Sequence, residues 1–178
     1  MSEPNSLAIT GLHLPTVPAK GDYMEITRKI NRDTIALLPA RRIEFNTLVI
    51  SNDGKEFVPD LPFNMVKSAC TAYWGEYEGN RKAVINHTQF IQKTPMPICK
   101  RRGIYFFPTH SPHNIDNCWI AFNHVANMDR IPPRLRTKQS QSIAYFKNGL
   151  TLTFCVSYHT LKSQYERTSE CIVRIEKN

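Results

Sequence analysis

The sequence contains no apolar run near the roughly 18 residues needed to cross a bilayer. Its mean hydropathy is −0.39, so an integral membrane protein is excluded. It has no heptad pattern, internal repeat or biased tract, which excludes a coiled coil, a collagen and a low-complexity linker. Acidic side chains are scarce, 15 Asp and Glu against 23 Lys and Arg. Cysteines are few and odd in number: Cys70, Cys99, Cys118, Cys155 and Cys171, with no CxxC pair. Residues 6–14 lack the basic flank and hydrophobic length of a secretory signal, and Pro15 and Pro18 follow. Together these features predict reduced thiols and a cytoplasmic location. No GxGxxG, Walker A, HExxH or GxSxG string is present.

What is present is enough apolar material for one well-packed domain. The chain has 178 residues, 41% hydrophobic and 21% charged. Its net charge of +8 is unevenly spread. Residues 61–140 carry 11 basic and 4 acidic side chains, whereas residues 1–60 carry 7 and 8. A middle segment this basic points to a polyanionic partner.

Residues 1–22 hold prolines and glycines without a period and read as a flexible N-terminal arm, with the domain proper over 23–178. Short strands follow. Met24, Ile26 and Ile30 alternate, Ile35 to Leu38 form an apolar run stopped by Pro39, and Ile43, Phe45 and residues 48–50 suggest another strand. Asn52-Asp53-Gly54 is a hairpin turn with its return strand at 55–58. A first helix is expected over about 60–74, with Asp60 as cap, Pro62 in the first turn and Gly75 at the C′ position. Phe63, Val66, Cys70, Tyr73 and Trp74 would form its apolar face. Gly79-Asn80 reads as a turn and 84–91 as extended chain. Lys100-Arg101-Arg102-Gly103 is a basic turn feeding a strand at 104–107, and residues 118–123 form another. Residues 128–138 read as a basic loop in which Pro132-Pro133 bars a helix. Asn148-Gly149 joins the clearest hairpin. Ser157 or Thr160 can cap a second helix over about 160–173, with Leu161, Tyr165, Thr168 and Ile172 on one face. Many short strands, two helices and no βαβ alternation give an α+β class: a single domain built mainly on antiparallel sheet.

Two catalytic or metal constellations are weak. Cys99, His110, His113 and Cys118 do not have zinc-ligand spacing. Cys118 with Asp116 and His110 or His124 could be a thiol and its base, but Cys118 begins an apolar strand, where an inert thiol is expected. We therefore expect no catalytic residues, no metal and no cofactor. The basic clusters are stronger. Lys100, Arg101 and Arg102 form a compact triad, and Arg130, Arg134, Arg136 and Lys138 lie on a proline-stiffened loop. Arginines presented in this way suit phosphates or a narrow A·T minor groove. Tyr105 and Phe107 beside the basic turn could instead stack single-stranded bases.

Several strings stand out together: Ser68-Ala-Cys70-Thr-Ala-Tyr73-Trp74-Gly75 with Tyr77-Glu-Gly79-Asn-Arg81-Lys82-Ala83; Lys93-Thr-Pro95-Met-Pro97 leading to Phe106-Phe107-Pro108-Thr109-His110-Ser111; Trp119-Ile120 with His124-Val125; and Phe146-Lys-Asn148-Gly149 with Ser157-Tyr158-His159 and Gln164-Tyr165. In sequence and spacing they resemble the bacterial competence transcription factor family, ComK. Their order holds from about 26 to 168.

The resemblance implies a non-enzymatic, sequence-selective activator of DNA-uptake genes. It would bind A·T-rich promoter boxes in double-stranded DNA, largely through the minor groove, as a homodimer or a pair of dimers. Arg81 and Lys82, inside a matched string, join Lys100, Arg101, Arg102, Arg130, Arg134, Arg136 and Lys138 as candidate DNA contacts. A membrane partner is not expected. Nothing after Thr168 matches the tail motif that family members use for adaptor-mediated proteolysis, so the resemblance does not carry that control over to this chain. The other function weighed is a non-catalytic RNA or single-strand binder using the same basic face with Tyr105 and Phe107.

Overall fold

A computed structural model describes residues 30–176 of the chain. The expected arm over 1–22, the domain start at 23, and Met24 and Ile26 lie outside the described residues. Strands β1 (Thr34–Pro39), β2 (Thr47–Ser51), β3 (Gly54–Val58), β4 (Met96–Cys99), β5 (Ile104–Pro108) and β6 (Trp119–Ala121) form one sheet in the order β3-β2-β1-β6-β5-β4. Every pairing in it is antiparallel. A second antiparallel sheet joins β7 (Val125–Arg130), β8 (Ser142–Phe146) and β9 (Thr151–Phe154) in that order. Helices α1 (Pro62–Ala72), α2 (Tyr77–Thr88) and α3 (Tyr158–Glu176) complete the described fold. The α+β antiparallel class is as expected, with three helices in place of two.

The larger sheet is buried on both faces, which is why β1 reads as an unbroken apolar run. Leu38, Leu48, Ile50, Phe57, Phe107 and Ile120 face a core shared with Ala144, Phe146, Leu152 and Phe154 of the second sheet and Leu161 of α3. Their neighbours Leu37, Val49, Val58, Phe106 and Trp119 face the opposite way, onto Met65, Val66, Ala69 and Cys70 of α1 and Tyr77 of α2. Successive residues point to opposite faces, so β1, β2, β3, β5 and β6 each serve both cores. Pro97 sits on β4, an edge strand, where a missing N–H is tolerated.

Several local expectations are corrected. Residues 77–88, read as a turn followed by extended chain, are helix α2. Gly79, Asn80 and the β-branched Val84 and Ile85 weaken its intrinsic preference. Packing overrides it, because Tyr77, Val84 and Thr88 are buried along one side. Asn80 Nδ2 also donates to the Pro97 carbonyl at 2.9 Å. Asp60 does not cap α1. The N-cap is Leu61 without a side-chain hydrogen bond, while the Asp60 carbonyl accepts from Thr47 Oγ1 at 2.5 Å.

The left-handed residue closing α1 is Trp74, with φ 67°, rather than Gly75. The amide of Gly75 donates to the Cys70 carbonyl at 2.9 Å. A Cβ at position 75 would lie 3.2 Å from Asn80 Nδ2, a tight approach that only a small shift of the Asn80 side chain would relieve. Trp74 is consequently turned out and is 99% exposed, not part of the apolar face of α1. Ile43 is likewise exposed outside β2, and Met128 to Arg130 belong to β7 rather than to the following loop.

Candidate nucleic-acid interface

Helix α3 organises the cations. Ser157 caps it by accepting from the Thr160 amide at 3.1 Å. Leu161, Gln164, Thr168, Cys171 and Ile175 are its buried stripe, and the last two pack with Val84 of α2. Its own cations are committed to the fold. Arg167 donates to the Gln92 carbonyl at 2.7 Å and lies 4.4 Å from the Phe90 ring. Arg174 donates to the His87 carbonyl at 3.0 Å and pairs with Glu170 at 2.6 Å. Lys162 pairs with Glu166. With these groups engaged, α3 does not have the free basic face of a major-groove recognition helix.

Among the described residues, two of the candidate cation clusters lie near α3, at different points along it. Arg130 lies 5.4 Å from the ring of Tyr158, the first residue of the helix. Lys100 sits near enough to Cys171 to lower that thiol's pKa against the burial that raises it to about 11. Residue 171 is thirteen positions beyond 158, about 20 Å along the axis.

In the first patch, Pro132-Pro133 lead into a 3-10 turn over Pro133–Leu135. Arg134 and Lys138 are exposed and make no hydrogen bond, ion pair or ring contact with the described residues. Leu135 beside Arg134 is 62% exposed. Arg136 is turned back instead, its Nε donating to the Ile131 carbonyl at 2.7 Å. In the second patch, a 3-10 turn over Lys100–Arg102, closed by Gly103 at φ 64°, leaves all three cations exposed. Arg102 stands 5.5 Å from the Tyr73 ring, and its carbonyl accepts from Arg32 Nε at 2.9 Å. Arg32, Arg102 and His124 line a shared cavity of about 230 Å³. Arg32 and His124 are separated from the triad in sequence, so neither was a sequence-based DNA candidate. Only the docking of the chain at Ile30 and β6 beside the turn brings them together.

Arg81 and Lys82 lie on α2 rather than on a turn. Arg81 donates to the Ile91 carbonyl at 3.1 Å and so closes the segment after the helix, whereas Lys82 is exposed. Tyr105 and Phe107 are 3% and 0% exposed, which removes the stacking platform on which the single-strand alternative relied. Both faces of β5 are covered, so neither parity is available to a base.

The thiol and metal constellations do not assemble. Asp116 pairs with Arg41. His110 approaches Thr109 Oγ1 at 3.0 Å and Cys155 Sγ at 3.9 Å, and His124 Nε2 contacts the Arg32 carbonyl at 2.6 Å. His113 packs on the Phe63 ring at 4.7 Å. Among the described residues no three His, Cys, Asp or Glu side chains are placed to hold a metal ion. Burial pushes the Cys118 thiol up to about 12, the opposite of what a nucleophile needs.

That burial has a measurable consequence. The neutral thiol is favoured in the fold, so its contribution is fully present below pH 9 and is lost as pH rises toward 12. Over that range this group alone should lower stability by about 1.4 kcal/mol per pH unit. Denaturant melts at pH 8, 9 and 10 should show the native protein losing stability relative to Cys118→Ala. Parallel pH profiles for the two proteins would show that Cys118 ionises normally.

No described helix is long and apolar enough to cross a membrane. A family model described as ComK protein matches residues 26–178 of the chain. No curated protein and no solved structure matches it.

Proposed function

The chain belongs to the ComK family of competence transcription factors, and from that premise we propose that it activates DNA-uptake genes by binding A·T-rich promoter boxes in double-stranded DNA. The reading places the protein in the cytoplasm, as a homodimer or a pair of dimers, with no catalytic role. The observation that carries the DNA contact is the loop over 131–138. There Arg134, free and exposed, stands on a proline-stiffened turn beside the exposed Leu135, between Arg130 and Lys138. A·T tracts concentrate negative potential in a narrow minor groove, and arginine with an apolar neighbour is a common means of entering it.

Lys100, Arg101, Arg102 and Lys82 then serve as outer phosphate contacts. Arg81 is assigned to the fold through the Ile91 carbonyl. Affinity should be compared at one salt concentration for an A·T-rich duplex, a G·C duplex and the separated A·T-rich strands. The expected order places the A·T-rich duplex first. Tighter binding to the separated strands would reject duplex recognition, and equal affinity for the two duplexes would reject A·T selectivity.

A further inference from the structure

Beneath the 131–138 loop lies a cavity of about 200 Å³ lined by Arg130, Arg136, Gln141, Ser157, Tyr158 and His159. We infer that it is a phosphate site that takes one backbone phosphodiester of the bound DNA. The inference rests on the duplex-binding reading and assigns to Arg130 and Arg136 a role different from groove entry.

The lining contains two guanidinium groups and no carboxylate. Guanidinium forks match phosphate oxygens in pairs, and two on one cavity are costly to bring together without an anion. Arg136 is held in place, since its Nε is spent on the Ile131 carbonyl at 2.7 Å. Its two Nη groups make no hydrogen bond to the described residues. Arg130 lies against the Tyr158 ring at 5.4 Å. The start of α3 reinforces the site. Ser157 satisfies the Thr160 amide and its carbonyl accepts from the Leu161 amide at 3.0 Å. The amides of Tyr158 and His159, in the first turn, have no carbonyl partner within the helix. No acidic residue lies in that turn. Of the acidic groups nearby, Asp129 accepts from the Arg130 backbone amide at 2.7 Å, and Glu166 pairs with Lys162. A water occupies about 30 Å³ of liquid, so the volume accommodates a phosphate group with accompanying solvent.

The site fixes the register of the loop. A phosphate seated between Arg130 and Arg136 holds the base of the loop on the duplex backbone. Arg134 and Leu135 are carried on the 3-10 turn between those two residues.

The test uses the full chain with an A·T-rich duplex carrying a single neutral methylphosphonate, moved one position at a time. With the native protein, one position should weaken binding about tenfold, the scale of a lost charge-assisted contact. Arg130→Gln should weaken the unmodified duplex by a similar factor and lower the log–log salt slope by about 0.9. At that methylphosphonate position its further loss should be smaller than the native protein's, because only Arg136 is left to sense the missing charge. Arg130→Lys should recover the slope but not the affinity, which separates loss of the fork from loss of folding. If the native protein binds duplex and the two losses multiply, the cavity is not where that phosphate sits and the inference is overturned while duplex binding stands. If the native protein binds no duplex, the duplex reading fails. Titration with inorganic phosphate, read at the His159 ring resonances, then decides the cavity. An Arg130-dependent saturable shift marks a site for a free phosphate and overturns the DNA source, and no shift overturns the site altogether.

Discussion

Replacing Trp119 by alanine is expected to remove about 3–5 kcal/mol of folding stability, the range for truncating a large buried aromatic. Trp119 is fully buried and lies on β6, the strand that joins the two halves of the larger sheet. It pairs with Leu37 of β1 on one side and Pro108 of β5 on the other. Truncation therefore opens a cavity under α1 and α2 at the seam of the sheet. Against a typical total of roughly 5–15 kcal/mol, the loss leaves a marginal domain. Trp119→Phe should cost clearly less, because the indole Nε1 has no hydrogen-bond partner to lose. Equilibrium denaturation of the two variants checks the ranking. If Trp119→Ala melts with the native protein, the seam is not held from this position.

The second large effect concerns the loop. Exchanging Arg130, Arg134, Arg136 and Lys138 together for glutamine should lower the log–log salt slope of duplex binding by about 1.8, at about 0.9 for the phosphate shared by Arg130 and Arg136 and about 0.9 for one at Lys138. Between 50 and 200 mM salt the native protein should then lose about tenfold more affinity than the variant. Exchanging Lys100, Arg101 and Arg102 should lower the slope without changing the preference for A·T over G·C, since phosphate contacts carry no sequence information. The loop variant should lose that preference. The native protein should tolerate inosine·cytosine in place of A·T, because the minor-groove edge is kept while the major-groove edge changes. A large loss on inosine·cytosine DNA would locate base reading in the major groove.

Much of the sheet was legible because its signals are local. The run over 35–38, the Asn52-Asp53-Gly54 turn, the basic turn ending at Gly103 and the Asn148-Gly149 hairpin each depend on a few adjacent residues. Helix α2 was not legible. Gly79, Asn80 and the β-branched Val84 and Ile85 offset the helix formers Glu78, Arg81, Lys82 and Ala83, and the burial of Tyr77, Val84 and Thr88 that stabilises it comes from other parts of the chain. The aromatic run at 105–107 shows the same limit from the other side. Three adjacent aromatics beside a basic turn fit either a stacking surface or a doubly covered strand. Only the cover supplied by α1, α2 and the second sheet distinguishes the two.

From the chain alone came the antiparallel α+β class, the concentration of positive charge in the middle segment and the family resemblance, since composition, turn chemistry and ordered strings are properties of the sequence itself. Which cations are free was a tertiary matter. Arg81, Arg167 and Arg174 look no different in sequence from Arg134, yet each is spent on a backbone carbonyl left open by a helix end or turn. The division of the basic residues into two patches, and the meeting of Arg130 and Arg136 over the start of α3, likewise depend on where β7 and α3 pack. A charge acts over ångströms in space, and sequence separation does not report that distance.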